Sequence, residues 1–263
     1  MAGYPPCGRE TKKVIRKQKL CIASWNVCTL LDNDNNPQRR TAIIGHELGH
    51  YGTDIAAVSE TCIHGESQLE EVGAGYTFFL TGHPADGPTQ AGVGFAIRTS
   101  LLHRIQNMPV GHSPRLMSLT LELEGGHMAN LVIAYAPTLP TPDDAKDELY
   151  NQFDQIISRT PCKHKLIMMG NFNVRVRCDH QAWEKVIGRH GIGKENSNST
   201  RLLSLCTAHK LVITNTMFQQ RDSRKVSWMH PRSRHWNLLD CVIVRQRDIA
   251  DVNLTRSLRG STC

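Results

Sequence analysis

The chain has 263 residues and a net charge of +7, long enough to build a sizeable core in one domain or two. Nine cysteines, none in a Cys-x-x-Cys pair and most in apolar contexts, exclude a disulfide scaffold and point to reduced thiols. No apolar run approaches membrane-spanning length and no hydrophobic signal region opens the chain, which argues against a membrane partner and for an intracellular place, nuclear or cytoplasmic.

Residues 11–19 place five basic side chains in nine, the pattern of a nuclear address, a phosphate-binding arm or a soluble tail. Residues 1–19 are therefore set apart as a flexible basic segment. Short apolar runs bounded by turn residues follow at 20–25, 55–58, 76–80, 93–97, 116–123, 131–135, 166–169, 211–215 and 238–244, and read as strands. Pro37 suits the first turn of a helix running to about Tyr51 and ended near Gly52. Residues 143–158 carry Leu149, Phe153, Ile156 and Ile157 at helical spacing, with acids in the first turn. Leu202, Leu203 and Leu205 mark a third helix that ends before Leu211. This mixture of strands and helices predicts an α/β sandwich. With no linker, repeat or low-complexity block, residues 20–263 read as one domain.

Several strands stop at polar groups. The run 166–173 ends Gly-Asn-Phe-Asn, where Gly170 permits a tight turn and Asn171 and Asn173 alternate in direction. Four further strand ends carry Ser24-Trp25-Asn26, Ser59-Glu60-Thr61, Tyr135 just before Pro137, and Leu238-Leu239-Asp240. Glu60 closes an apolar strand and so faces a cleft, either as a ligand of a hard divalent cation or as half of a surface salt bridge. Asn26 is either a turn-forming residue or a cleft group, and Tyr135 either pairs its hydroxyl with backbone or donates to a ligand. Arg115, at the start of a strand, is a candidate phosphate contact. The charge is uneven. Residues 201–263 hold 11 Lys/Arg against 4 Asp/Glu, while residues 1–200 hold 20 of each. Arg221, Arg224, Lys225, Arg232 and Arg234 group around Trp228 and Trp236, which reads as a nucleic-acid surface or as a solvated basic face.

His46-Glu47-Leu48-Gly49-His50 spells a zinc-protease motif, and on a helix both His share one face. Thr53 and Ala56 stand where the extended pattern requires Gly and His, which argues against zinc. The groups Cys178-Asp179-His180 and Cys206 with His209 lack a second half at metal spacing.

Taken in order, the polar strand ends resemble the endonuclease/exonuclease/phosphatase superfamily over about residues 20 to 263. Residues 71–79, 91–97 and 227–236 are similar to the endonuclease domain of RTE-clade retrotransposons and to the craniofacial development protein 2-like family derived from them. The resemblance implies a four-layer α/β/β/α sandwich of the DNase I type. It also implies a Mg2+ (or Mn2+) site at Glu60 and Asn26, with Tyr135, Asn171, Asn173 and Asp240 as catalytic positions. DNA is the implied partner, held by Arg115, Arg224, Lys225, Trp228, Arg232, Arg234 and Trp236, and the implied reaction is single-strand nicking. Two departures stand out. The superfamily motif is Gly-Asp-Phe-Asn, whereas this chain has Asn171 in place of the acid. The superfamily site also ends in an Asp-His pair followed by a last strand, absent before Cys263. From these a C-terminally truncated domain is expected, with impaired hydrolysis and a sheet edge open to self-association. The alternatives are a non-catalytic nucleic-acid or protein-interaction module, and a phosphatase or phospholipid diesterase of the same superfamily.

Overall fold

The computed structural model describes residues 19–32, 39–176, 181–192, 196–229 and 236–258. The basic segment 1–18, Pro37, the Cys178–His180 group, Arg232 and Arg234 lie outside them.

The first sheet is built from β1 (Ile22–Asn26), β2 (Ile55–Ser59), β3 (Glu66–Glu71), β4 (Tyr76–Thr81) and β5 (Val93–Arg98), in the order β1-β2-β5-β4-β3. The second contains β6 (Val110–Ser113), β7 (Leu116–Glu122), β8 (Met128–Tyr135), β9 (Lys165–Asn171), β10 (Leu211–Ile213) and, after two short strands, β13 (Asp240–Arg245). Those two, β11 (Trp228–Met229) and β12 (Trp236–Asn237), form a separate ribbon. The second sheet runs β10-β13-β9-β8-β7-β6. Helices α1 (Arg40–His50), α2 (Asp143–Arg159) and α3 (Ser197–Ala208) fall on the three stretches read as helical, α1 starting at Arg40.

Three apolar clusters separate four layers. Ile44 and Leu48 of α1 pack on Val58, Tyr76 and Phe78 of the first sheet. Ile55, Phe95 and Ile97 meet Leu119, Leu131 and Ile133 of the second sheet face to face. Phe153 of α2 and Leu203 of α3 cover Val132, Leu166 and Met168 on the far side. The α/β/β/α sandwich expected from the resemblance is therefore the fold.

Sequence reading misses β3 and β6. Both are edge strands with exposed positions and polar sequences, so neither produces an apolar run. The 166–173 motif folds differently from the tight turn expected at Gly170. Gly170 lies inside β9, paired with Ala134 and Cys241, at φ 137°. A Cβ there would stand 2.0 Å from the Ala134 carbonyl oxygen, so the requirement for glycine is close backbone approach as well as positive φ. Gly170→Ala is expected to cost about 3 kcal/mol or more, measured by urea unfolding. A loss below about 1 kcal/mol would show that β8 and β9 can move apart freely.

Candidate active site

The period-two alternation of strands explains how distant residues converge. On β8, Leu131, Ile133 and Tyr135 face the space between the sheets, and on β9 Ile167 and Met169 do the same, which carries Asn171 to that side. Ile22 on β1 and Val242 on β13 also point inward, so Asn26 and Asp240 follow by parity. Register then aligns the row. Tyr135 is the parallel partner of Asn171, and Asp240 is its antiparallel partner on the other flank. Asn26 pairs with Ser59, the residue before Glu60.

Glu60 leaves β2 at φ 58°, a left-handed conformation costly for a residue with a Cβ. Bonds from Val27 N–H to Ser59 O and from Thr61 N–H to Gly92 O hold the backbone on either side of it. The turn brings its carboxylate to Asn26, whose Nδ2 donates to Oε1 at 2.6 Å. Asn26 Oδ1 in turn accepts from Cys28 N–H at 3.0 Å, which fixes the amide orientation. Asn26 thus presents its donor to Glu60 and commits its oxygen to backbone.

Tyr135 is 9% exposed. Burial first, then the charge of Glu60 and a hydrogen bond to it, push its phenol up to about 12, so it remains a proton-bearing donor near neutral pH. The Arg115 guanidinium lies 4.8 Å from the centre of the Tyr135 ring, and its Nη1 donates to Tyr135 O at 3.3 Å. This braces the tyrosine and engages one of the five guanidinium donors.

Asp240 is pushed up to about 6, mainly by burial and further by Glu60, while a hydrogen bond from Ser227 opposes the shift. Ser227 Oγ also accepts from the backbone N–H groups of Leu239 and Asp240. Asp240 Oδ1 is buried without a hydrogen-bond partner among the described residues. Asn171, 4% exposed, accepts the N–H of Asn173 at its Oδ1, 2.9 Å away. Asn173, at φ 49°, donates from Nδ2 to Ala136 O at 2.7 Å and so ties the exit of β9 to that of β8.

Sequence reasoning missed three supporting residues. Asn198, 1% exposed, donates from Nδ2 to Pro137 O at 3.0 Å and to Asn173 O at 3.4 Å, clamping the two loops that leave β8 and β9. Asn196 caps α3 in a capping box with Ser199 and also donates to Asn173 O. An Asn three residues before Ser199 was the available signal. Ser227 had none, because its role depends on tertiary contact with Asp240.

Of the DNA-binding candidates among the described residues, Arg224 and Lys225 line one recess. Trp228 pairs with Asn237 and Met229 with Trp236, so the two tryptophans point to opposite faces of the ribbon and do not form one stacking platform. Both are about two-fifths exposed. Lys225 is paired with Asp222 at 3.4 Å, and Arg224 is exposed. On α1, His46 and His50 lie on the exposed side. Among the described residues no three His, Cys, Asp or Glu side chains gather as a metal centre, so the zinc motif has no third ligand there.

The Glu60 carboxylate and the unpartnered Asp240 oxygen supply oxygen donors alone, a set that fits Mg2+ or Mn2+ rather than a softer ion.

Known proteins place this arrangement. Residues 23–237 match the model of the Endonuclease/Exonuclease/phosphatase family. Craniofacial development protein 2 of Bos taurus is 27% identical over 261 residues, as is that of Tragulus javanicus over 259. The match takes in 97% of this chain but only 41% of the bovine protein, so the chain spans about two-fifths of the curated relatives it matches. Among solved structures, the catalytic domain of Xenopus laevis APE2 superposes with a TM-score of 0.57 at 12% identity, covering 87% of this chain and 83% of that one. The 3′ phosphatase NExo from Neisseria, bound to a product DNA hairpin, gives 0.56 at 16% identity, covering 88% and 89%. TDP2 of D. rerio, complexed with a single-strand DNA product, gives 0.52 at 13%, covering 86% and 83%. By its sequence match and by its four-layer fold, the chain belongs to the endonuclease/exonuclease/phosphatase family.

Proposed function

We propose that this protein is a DNA-binding member of the family, derived from a retrotransposon nicking endonuclease, whose hydrolytic activity is lost. The single observation that carries this reading is Asn171, held in register between Tyr135 and Asp240. Phosphodiester hydrolysis needs positive charge on the phosphoryl oxygens, an oriented water and a group to take its proton. A divalent cation held by Glu60 and assisted by Asp240 would supply the charge. Tyr135, protonated near neutral pH, donates to a phosphate oxygen from the end of β8. An amide at 171 neither accepts the water's proton nor adds charge toward the cation.

Residues 71–79, 91–97 and 227–236 support the retrotransposon ancestry. The six free cysteines among the described residues suit a reducing compartment. No helix among those residues is long and apolar enough to cross a membrane. We also infer that β1, paired among the described residues with β2 alone, offers its outer edge to a second copy.

The reading is tested by electrophoretic mobility shift of duplex and single-stranded DNA in magnesium, followed on denaturing gels. Salt-sensitive binding without cleavage is expected. Absence of DNA binding at low salt would refute it.

A further inference from the structure

A cavity of about 590 Å³, apart from Glu60 and Tyr135, is lined by Gln219, Gln220, Arg221 and Arg224. A smaller recess lined by Asn215, Lys225 and Arg256, among others, shares Gln220 and Arg224 with it. The lining is rich in hydrogen-bond donors and carries no apolar side chain in the larger cavity. Arg221, Arg224 and Arg256 have no ion pair among the described residues, while the nearby carboxylate, Asp222, is engaged by Lys225.

The cleft is tied together and tied to the catalytic row. Ser257 N–H donates to Arg224 O at 2.7 Å, and Thr255 Oγ1 donates to Thr214 Oγ1 at 2.8 Å, fixing the terminal segment against the 214–225 stretch. Asn215 donates to Asp240 O at 3.2 Å and accepts from Val242 N–H at 2.8 Å. Asn215 thus joins the wall of the recess to the backbone of Asp240. Guanidinium forks match phosphate oxygens in geometry as well as charge, and glutamine amides add donors without competing acidity. An acyl chain would find no apolar wall here.

Building on the reading that the protein binds DNA, we propose that this cleft is a backbone subsite. Arg221, Arg224 and Arg256 contact phosphates of the strand flanking the one presented to Glu60. Each phosphate contact carries a measurable signature, because its loss lowers the slope of log affinity against log salt by about 0.9.

The experiment is fluorescence anisotropy of a labelled duplex with wild type, Arg221→Ala, Arg224→Ala, Arg256→Ala and Lys163→Ala, the last at the far end of β9. Thermal melts confirm that each variant folds. Each cleft variant is expected to reduce the slope by about one while Lys163→Ala leaves it unchanged. DNA binding by all five proteins with an unaltered slope would overturn the cleft assignment alone. No binding by the wild type would overturn the DNA reading with it. Loss of DNA binding in excess inorganic phosphate at constant ionic strength, matched by phosphate binding that the arginine variants lack, would mark a free-phosphate site and overturn the proposal.

Discussion

Asn171→Asp is expected to raise magnesium-dependent nicking of supercoiled plasmid by at least about 100-fold over the wild type, the lower end of what a positioned general base contributes. The position is prepared for it. Residue 171 is buried, its β8 neighbour is Tyr135, its β13 neighbour is Asp240, and the following N–H of Asn173 already donates to its side-chain oxygen. A carboxylate there can keep that hydrogen bond while accepting a proton from water. The same substitution puts a second acidic group beside Asp240. Without metal, Asn171→Asp should melt below the wild type, and magnesium should restore it more than it stabilises the wild type. Unchanged nicking together with an unchanged response to magnesium would show that the defect lies elsewhere.

Asp240 governs the second large effect. Its folded-state carboxyl is raised to about 6 from an ordinary value of 3.8, chiefly by burial. The folded protein therefore binds this proton more tightly than the unfolded chain does. Stability from this group is fully present below about pH 4 and is lost as pH rises through about 6, a swing of roughly 3 kcal/mol. In EDTA, Asp240→Asn should remove that loss. The variant should be more stable than wild type at pH 8 by up to roughly 3 kcal/mol, and the gap should close toward pH 4. Urea unfolding across this range measures it. A variant destabilised equally at every pH would mean that the ionised carboxylate is well partnered in the fold.

What could be read from the sequence depended on how local its cause was. The core strands and three helices declare themselves, because burial on both faces of a sheet or on one face of a helix leaves an apolar run or a helical period. Edge strands β3 and β6 do not, since one side of each meets solvent and their polar residues interrupt the pattern. The polar strand ends were legible as candidates, and the family resemblance supplied their order. Their common orientation was not, because it requires the register that pairs Asn171 with both Tyr135 and Asp240. Arg115 shows the limit from the other side. A basic residue at a strand start reads as a phosphate contact, and only the fold shows that it also lies across the Tyr135 ring. Trp228 and Trp236 read as aromatics interleaved in a basic segment, and their opposite faces follow only from pairing in the ribbon. Asn198 and Ser227 act wholly through long-range contacts and leave no local mark.

The most direct test of the central claim, that Asn171 disables a site otherwise built for phosphodiester hydrolysis, is nicking of supercoiled plasmid by the wild type against Glu60→Ala in magnesium and in manganese. The account predicts that the two are indistinguishable, both far below Asn171→Asp. Wild-type nicking that exceeds Glu60→Ala and rises with metal would contradict it and make this chain a working endonuclease.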